Sequence, residues 1–410
     1  MKELLQGAFD AAIRAADAHV ILDDYLPKDR SRAVTVIGAG KGAAKMAAAF
    51  EEHWDGPVCG LVVTRYGHRV PTKQIEVVEA AHPVPDQAGV EAAKRMLDLV
   101  RGLGAGDLVV ALISGGGSAL LSLPVDGVTI EQKQALNQAM LESGATIDEI
   151  NCVRKHLSAI KGGRLAQACY PAQLLTLAIS DVAGDDPAVI ASGPTVGDPT
   201  TRARAQSILQ RYAITGYDAL LQESVKPDAA CVVQSDYRLI ATPQKSLKAA
   251  QAFLQKGGVK AYILSDRIEG EAREIAKMHA AIVHQIVTYG EPFARPCVLL
   301  SGGEATVSIK NKNGCGGPNG EFVLSLLDQL QGINTVYALA ADTDGIDGSE
   351  DNAGAWLDPE AFARMQAKGL NAQAYLDDNR SYAFFKQMGD LFVPGPTLTN
   401  VNDFRAIYIE

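Results

Sequence analysis

The sequence has no CxxC pair, no zinc-finger spacing and no HExxH, and its seven histidines are scattered, so a metal centre of thiolate or imidazole ligands has no foundation in it. The six cysteines, at 59, 152, 169, 231, 297 and 315, form no disulfide framework, which favours reduced thiols in a cytoplasmic protein; only Cys315, among glycines, is expected at the surface. Basic excess is also missing. With 38 Lys+Arg against 48 Asp+Glu the net charge is −10, which argues against a nucleic-acid or anionic-membrane surface and requires any cations that meet an anionic ligand to be gathered locally. No apolar run approaches membrane-spanning length. The N-terminal MKELLQGAFDAAIRAADAHVIL interrupts its helical apolar spacing with Glu3, Asp10, Arg14 and Asp17, which a signal-peptide core does not tolerate.

What is present is a globular composition, 47% hydrophobic and 21% charged, in a chain of 410 residues, a length at which two domains are the default. The chain is organised around Leu108 to Leu121, LVVALISGGGSALL, which reads as strand, loop, helix. Gly115, Gly116 and Gly117 remove every Cβ from the turn, so main-chain N–H groups can close on an anion, and Ser114 and Ser118 add hydroxyl donors at its ends. In a parallel α/β sheet such a loop lies outside the carboxyl ends of the strands, where ligands bind. The competing reading is a tight turn required by strand–helix packing.

The device recurs. AVTVIGAGKGAAKMAAAF places Gly38, Gly40 and Ala43 on the loose dinucleotide pattern G-x-G-x-x-A, with Lys41 inside the loop. It is not a Walker A loop, because the following Ser/Thr and the upstream glycine are missing. The next strand, Val58 to Thr64, leads into Arg65-Tyr66-Gly67-His68 and not into an acid that would bind a ribose, which disfavours NAD and leaves an NADP-type arginine open. A third strand ends at Ala81-His82-Pro83-Val84-Pro85-Asp86, where His82 is either a site residue or an ordinary turn residue.

Two helices are expected at about 130–143 and 147–161. On the second, Arg154, Ser158 and Lys161 would share one face, and Gly162 and Gly163 would end it and bring Arg164 nearby, gathering cations in an acidic protein. The strand in QLLTLAISDVAGDDPAVI ends in Ser180, Asp181, Asp185 and Asp186, where Asp181 suits a metal or a hydroxyl proton and alternatively caps the turn. Beyond it a new β-α alternation begins with AACVVQ and YRLIAT, so the domain boundary is placed near 228. CVLLSGGEATVSI repeats the strand and Ser-Gly-Gly pattern up to Glu304. TVYALAADTDGIDG ends in Asp342, Asp344 and Asp347, suited to a cation, a polar ligand or a set of Asx turns.

Glycine loops, an in-loop lysine, a cationic helix end and carboxylates at strand ends are together the parts of phosphoryl transfer, in which the protein positions groups and neutralises charge. The segments VIGAGKGAAKMA, AHPVPD, LISGGGSALL, EINCVRKHLSAIKGGRLA, AISDVAGDDPAVIASGPTVGDPT, LSGGEATV, ADTDGIDG and TNVNDFRA, in this order, resemble the glycerate 2-kinase family that ends in a MOFRL domain. The resemblance implies an α/β fold of two domains with largely parallel sheets and a site in the cleft between them. The domains would be residues 1–228, Rossmann-like, and 229–410, MOFRL-type, with the last strand a candidate to pack back on the first.

The resemblance further implies ATP- and Mg²⁺-dependent phosphorylation of the 2-hydroxyl of D-glycerate by a cytoplasmic monomer or homodimer that takes a small hydroxy acid and ATP and neither nucleic acid nor membrane. Lys41 and Asp181 would be catalytic, and Asp181, Asp185 and Asp186 would hold the metal. Gly38, Gly40, Ser114 to Ser118, Arg154, Lys161, Arg164, Glu304, Asn319, Asp342, Asp344, Asn400 and Asn402 would contact substrate or nucleotide. The family's arginine in Gly-Gly-Arg-Asn falls on Pro318 of Gly316-Gly317-Pro318-Asn319. Two other readings stay open: an NAD(P)H-dependent reductase of hydroxypyruvate or tartronate semialdehyde, as members are often labelled, and a non-catalytic metabolite-binding protein.

Overall fold

Short apolar runs closed by glycine-rich turns become the strands of two six-stranded sheets and one two-stranded pair in a computed structural model that describes residues 1–410. In chain order the strands are β1 (Val34–Ala39), β2 (Val58–Arg65), β3 (Ile75–Ala80), β4 (Leu108–Ile113), β5 (Gln173–Ile179), β6 (Asp236–Ala241), β7 (Lys260–Ser265), β8 (Gly270–Glu271), β9 (Cys297–Gly303), β10 (Ala305–Thr306), β11 (Val336–Asp342), β12 (Gly354–Leu357), β13 (Leu391–Phe392) and β14 (Asp403–Ile409).

The first sheet has the order β3-β2-β1-β4-β5-β6, with β1 parallel to both β2 and β4. β1 and β4 are buried at every position, as expected for strands covered on both faces. The order reverses between β1 and β4, and at such a switch point the loops leaving two neighbouring strands diverge and open a crevice. Both glycine loops of the sequence therefore leave adjacent strands.

The second sheet, β13-β12-β11-β14-β9-β7, departs from the expected parallel arrangement: only β7 and β9 run parallel, and the remaining pairings are antiparallel. β9 and β11 share a direction but are not neighbours, and the slot between them is filled by β14 running against both. The last strand is thus a central strand of this sheet.

The chain divides into two compact units, one of Ala18–Ser180 with Asp185–Ile240, the other of Met1–Asp17, Asp181–Gly184 and Ala241–Glu410. This differs from a single break near 228 for two local reasons. YRLIAT forms β6 at the edge of the first sheet, and AACVVQ, read as a strand, is a helical turn at Ala230–Val233. The helix Lys2–Arg14 sets Leu5, Ala8, Phe9 and Ala12 into one core with Leu247, Ala250 and Leu254 of Pro243–Lys256. Phe9 stands edge-on to Phe392 and Phe404, with ring centroids 5.1 and 5.6 Å away, and burying such a ring contributes roughly 1.5–3 kcal/mol. All cysteines are free, and it is Cys59, on the outward-facing part of β2, that is exposed, while Cys315 is half-buried. No helix is long and apolar enough to cross a membrane.

Candidate active site

At the switch point the two glycine loops bind each other. The amide of Gly40 donates to Val63 O (3.0 Å), Lys41 to Gly115 O (2.7 Å), Gly42 to the Ser114 hydroxyl (3.0 Å) and Ala43 to Gly40 O (3.1 Å). These successive amides are used internally, which removes the donors a pyrophosphate would need at this helix start. Gly38 and Gly40, expected at a dinucleotide, are small because β4 and its loop lie against them: a Cβ on Gly38 would sit 2.3 Å from Leu112 O. The second loop differs. The amides of Gly115 and Gly116 make no main-chain hydrogen bond, and Gly116 adopts φ 78°. A Cβ on Gly116 would meet the His82 ring at 3.0 Å and Lys41 Cγ at 3.1 Å, so both side chains flank the loop. Ser118 shares a hydroxyl contact of 2.9 Å with Ser192.

Beside this loop lies a cavity of about 610 Å³ whose lining includes His82, Gly116, Ser118, Lys133, Arg154 and Lys161. Lys133 comes from the helix Ile130–Glu142, started by a capping box of Thr129 and Gln132, and Arg154 from Ile147–His156, started by one of Thr146 and Glu149. The second helix ends five residues earlier than expected, because the Ser158 hydroxyl donates to Leu123 O (3.1 Å) and accepts the Lys161 amide (3.2 Å), competing with the helix. Arg154, Ser158 and Lys161 therefore share no helical face, yet Lys161 still reaches the cavity with Arg154.

No carboxylate acts on these cations. The Lys133 ammonium donates to the Ser122 hydroxyl (3.1 Å), Lys161 to Ser118 O (2.7 Å) and Arg154 Nε to Asn137 Oδ1 (2.9 Å). Burial, then Arg154, brings Lys133 down to about 7. Burial, with Lys133 and Arg154 adding repulsion, pushes Lys161 well below its usual value, and burial lowers Arg154. Buried Lys155, by contrast, has Asp198 at 3.0 Å. A buried cation paired only with neutral oxygens is costly, and an anion in the cavity would relieve the cost. The one acid of the lining, Glu131, is exposed and bonded to Thr129.

Arg164 does not line this cavity. Turned back by Gly162 (φ 58°) and Gly163 (φ 79°), it donates to the carbonyls of Lys155 (2.9 Å), Lys161 (3.2 Å), Gln222 (3.4 Å) and Glu223 (3.0 Å), as a helix-end cap does.

The acidic candidates fall in two places. In the second unit, Asp181 accepts from Asn400 Nδ2 (3.3 Å), and Asn402 Nδ2 donates to its main-chain oxygen, so both asparagines hold the Asp181 turn. In the first unit Asp186 caps the Ala188 amide (2.9 Å), and Asp185 sits at φ 58°. The expected metal residues divide between the two units, Asp181 in one and Asp185 and Asp186 in the other, and no group of three or more His, Cys, Asp or Glu is arranged to hold a metal ion. These residues fit no resident magnesium cage; an ion arriving with nucleotide phosphates and its own water needs only one or two carboxylates.

Asp342 accepts the Asp344 amide (2.8 Å) and Asp344 that of Ile346 (2.9 Å), two Asx turns. Asp347 accepts the amides of Asn319 (2.9 Å) and Gly320 (2.7 Å), capping the helix Pro318–Gln329, whose first residue is the proline at the family's arginine position. Burial pushes the Asp347 carboxyl up to about 7 against these two donors. Asn319 Nδ2 also reaches Asp403 (2.7 Å), which is paired with fully buried Arg405. Glu304 is exposed just past β9.

Lys133, which lines the cavity, was missed by sequence reasoning. For Lys133 a signal existed: Ile130, Lys133, Leu136 and Met140 form the buried stripe of their helix, and a lysine on that stripe is buried by design of the pattern.

Sheet order, interlocked switch-point loops and a cavity of unpaired cations define a doubly wound α/β protein with a cationic pocket beside its switch point. Residues 4–226 match a domain of unknown function, DUF4147, and residues 297–403 match the MOFRL family. The chain is 38% identical to the D-glycerate 2-kinase of Thermotoga maritima over 98% of its own length and 97% of the relative's. The crystal structure of glycerate kinase from Thermotoga maritima superimposes with a TM-score of 0.92 at 39% identity, covering 100% of this chain and 99% of that one. An Agrobacterium vitis protein provisionally named a hydroxypyruvate reductase is 50% identical over 100% of this chain and 94% of its own. The chain belongs to the glycerate 2-kinase family with a C-terminal MOFRL domain.

Proposed function

We propose that the chain transfers the γ-phosphoryl group of ATP, accompanied by Mg²⁺, to the 2-hydroxyl of D-glycerate, giving 2-phosphoglycerate. The observation that carries this reading is the cavity in which Arg154 and Lys161 are paired with no carboxylate, beside a loop whose Gly115 and Gly116 amides make no main-chain hydrogen bond, in a chain related end to end to glycerate 2-kinases. Arg154 and Lys161 would grip the acid's carboxylate. Lys41, flanking Gly116 on a flexible stem, would follow the phosphoryl group and balance its charge. Asp181, steadied by Asn400, would accept the hydroxyl proton. A cytoplasmic enzyme, monomeric or homodimeric, fits the reduced thiols and acidic surface.

The name carried by the Agrobacterium vitis relative favours a second reading, reduction of hydroxypyruvate. Against it stands the loop after β1, whose amides from Gly40 to Ala43 are already used. One experiment separates the two. Purified protein with D-glycerate, ATP and Mg²⁺ is assayed for ADP, beside hydroxypyruvate with NADPH followed at the nicotinamide absorbance. Glycerate-dependent ADP with no NADPH oxidation is expected; the converse would replace the kinase by the reductase.

A further inference from the structure

Lys133 has a position that the kinase reading does not use. It stands on the apolar stripe of its helix, is 8% exposed, and aims its ammonium at the Ser122 hydroxyl on the wall of the 610 Å³ cavity. The groups that face it are of one sign: Arg154 from the helix Ile147–His156 and Lys161 from the turn beyond it. Around them the lining adds His82 from the turn after β3, neutral Ser118 and Ser122, and the exposed Glu131. Three cations sharing one cavity with no carboxylate among their partners form a site that is complete only with an anion inside it.

We propose that this cavity binds the carboxylate of the substrate acid together with a proton, and that Lys133 is the residue that takes the proton up. Empty, the cavity brings Lys133 down to about 7, because burial and then the neighbouring Arg154 oppose its charge. A carboxylate brings the opposite charge into the same low-dielectric space and favours the ammonium form. Binding therefore draws a proton from solvent above neutrality, and affinity falls as pH rises through the range in which the empty site has lost that proton. Lys133 is then a specificity-determining cation that rewards anionic acids over neutral hydroxy compounds of the same size. This inference rests on the cavity being the acid's site.

Calorimetry of the full chain with D-glycerate alone, in two buffers of different ionisation enthalpy between pH 6 and 9, reads the proton directly. The expected result is net proton uptake on binding above neutrality and an affinity that falls as pH rises through that range. Lys133→Met, checked first by thermal unfolding, should lose the uptake and weaken binding at pH 6.5 on the order of ten- to a hundredfold. Lys133→Arg, which stays charged, should keep binding and lose the uptake, an outcome that a merely structural lysine would not give. Wild-type binding without proton exchange, or uptake persisting in Lys133→Met, overturns the proposal. So does uptake evoked by ATP alone and by no carboxylate, which would assign the cavity to the donor. If malonate binds with uptake while D-glycerate does not bind, the cavity inference stands and the glycerate reading fails.

Discussion

A Cβ placed on Gly40 would lie 2.1 Å from the Ser114 hydroxyl oxygen and 2.5 Å from its carbonyl oxygen, so the two glycine loops are locked together at the atom where a side chain would begin. Gly40 also has φ 142°, outside the range of ordinary L residues. Gly40→Ala is expected to destabilise the protein by at least about 2 kcal/mol, the sum of overpacking and backbone strain. A urea midpoint equal to wild type would show that the loops separate without cost.

Lys41 lies against Gly116 and beside His82, at the loop whose amides face no main-chain acceptor. Its charge is needed where negative charge develops, more than where substrate rests. Lys41→Ala should lower kcat on the order of a hundredfold or more with a smaller change in KM. Steady-state kinetics giving a normal kcat and a raised KM would move Lys41 to ground-state binding.

Lys133 also sets a pH dependence of the ligand-free fold. Its folded value of about 7 lies below the ordinary 10.5, so between these limits the unfolded chain holds more protons than the folded one. This residue's contribution therefore makes stability rise with pH from about 7 towards 10. Lys133→Met should flatten that slope and stabilise the empty protein at pH 7 by roughly 1–4 kcal/mol, as when buried charges yield to apolar groups. Asp347 acts in the opposite direction at lower pH: raised from 3.8 to about 7, it makes stability fall as pH rises between those values. Chemical denaturation of wild type and Lys133→Met at pH 6, 7.5 and 9 checks the sign.

How much of this was legible depended on whether a residue's role is local. Strand-then-glycine patterns at 38–40 and 114–117 located the switch-point loops, because apolar runs and glycine turns act over a few residues. They did not show that Gly38 and Gly40 lie against β4 and its loop, since that contact joins residues more than seventy positions apart. The extent of the helix after Thr146 was misjudged because Ser158 leaves it for Leu123, a partner no periodicity encodes. The neighbours of β14 are equally non-local: it lies between β9 and β11, strands about seventy to a hundred residues earlier in the chain. Asp342 and Asp344 could be read as ligands or as Asx turns, and the acceptor geometry now seen is that of the turns.

Pro318 begins the helix Pro318–Gln329, a position that suits proline because its missing N–H would have no helical partner. The amides that follow are held by Asp347, so the helix start does not depend on residue 318 for its capping. Pro318→Arg should fold with a stability change within about 1 kcal/mol and leave phosphoryl transfer equal or faster, since a guanidinium adds a bidentate phosphate donor. A folded Pro318→Arg protein without activity would show that this loop serves a different ligand geometry.

Lys161 and Arg164, three residues apart, divide into a cavity group and a structural group, and paired variants should separate them. Lys161 is buried in the cavity wall with one carbonyl partner at 2.7 Å and two cations acting on it, so its charge is a burden to the empty fold. Lys161→Met should therefore leave stability equal or higher while reducing kcat/KM on the order of a hundredfold, the scale of a lost charge-assisted contact. Arg164 donates to four carbonyls and joins the end of Ile147–His156 to the segment at 222–223. Arg164→Ala removes the guanidinium donors to those oxygens and should cost about 2–4 kcal/mol of stability, with kcat/KM of the remaining folded protein changed much less. Thermal unfolding and kinetics below the transition, run on both variants, give the comparison. A stable Arg164→Ala protein with a large loss of kcat/KM would return Arg164 to the substrate, and an unaffected Lys161→Met would remove the cavity from the reaction.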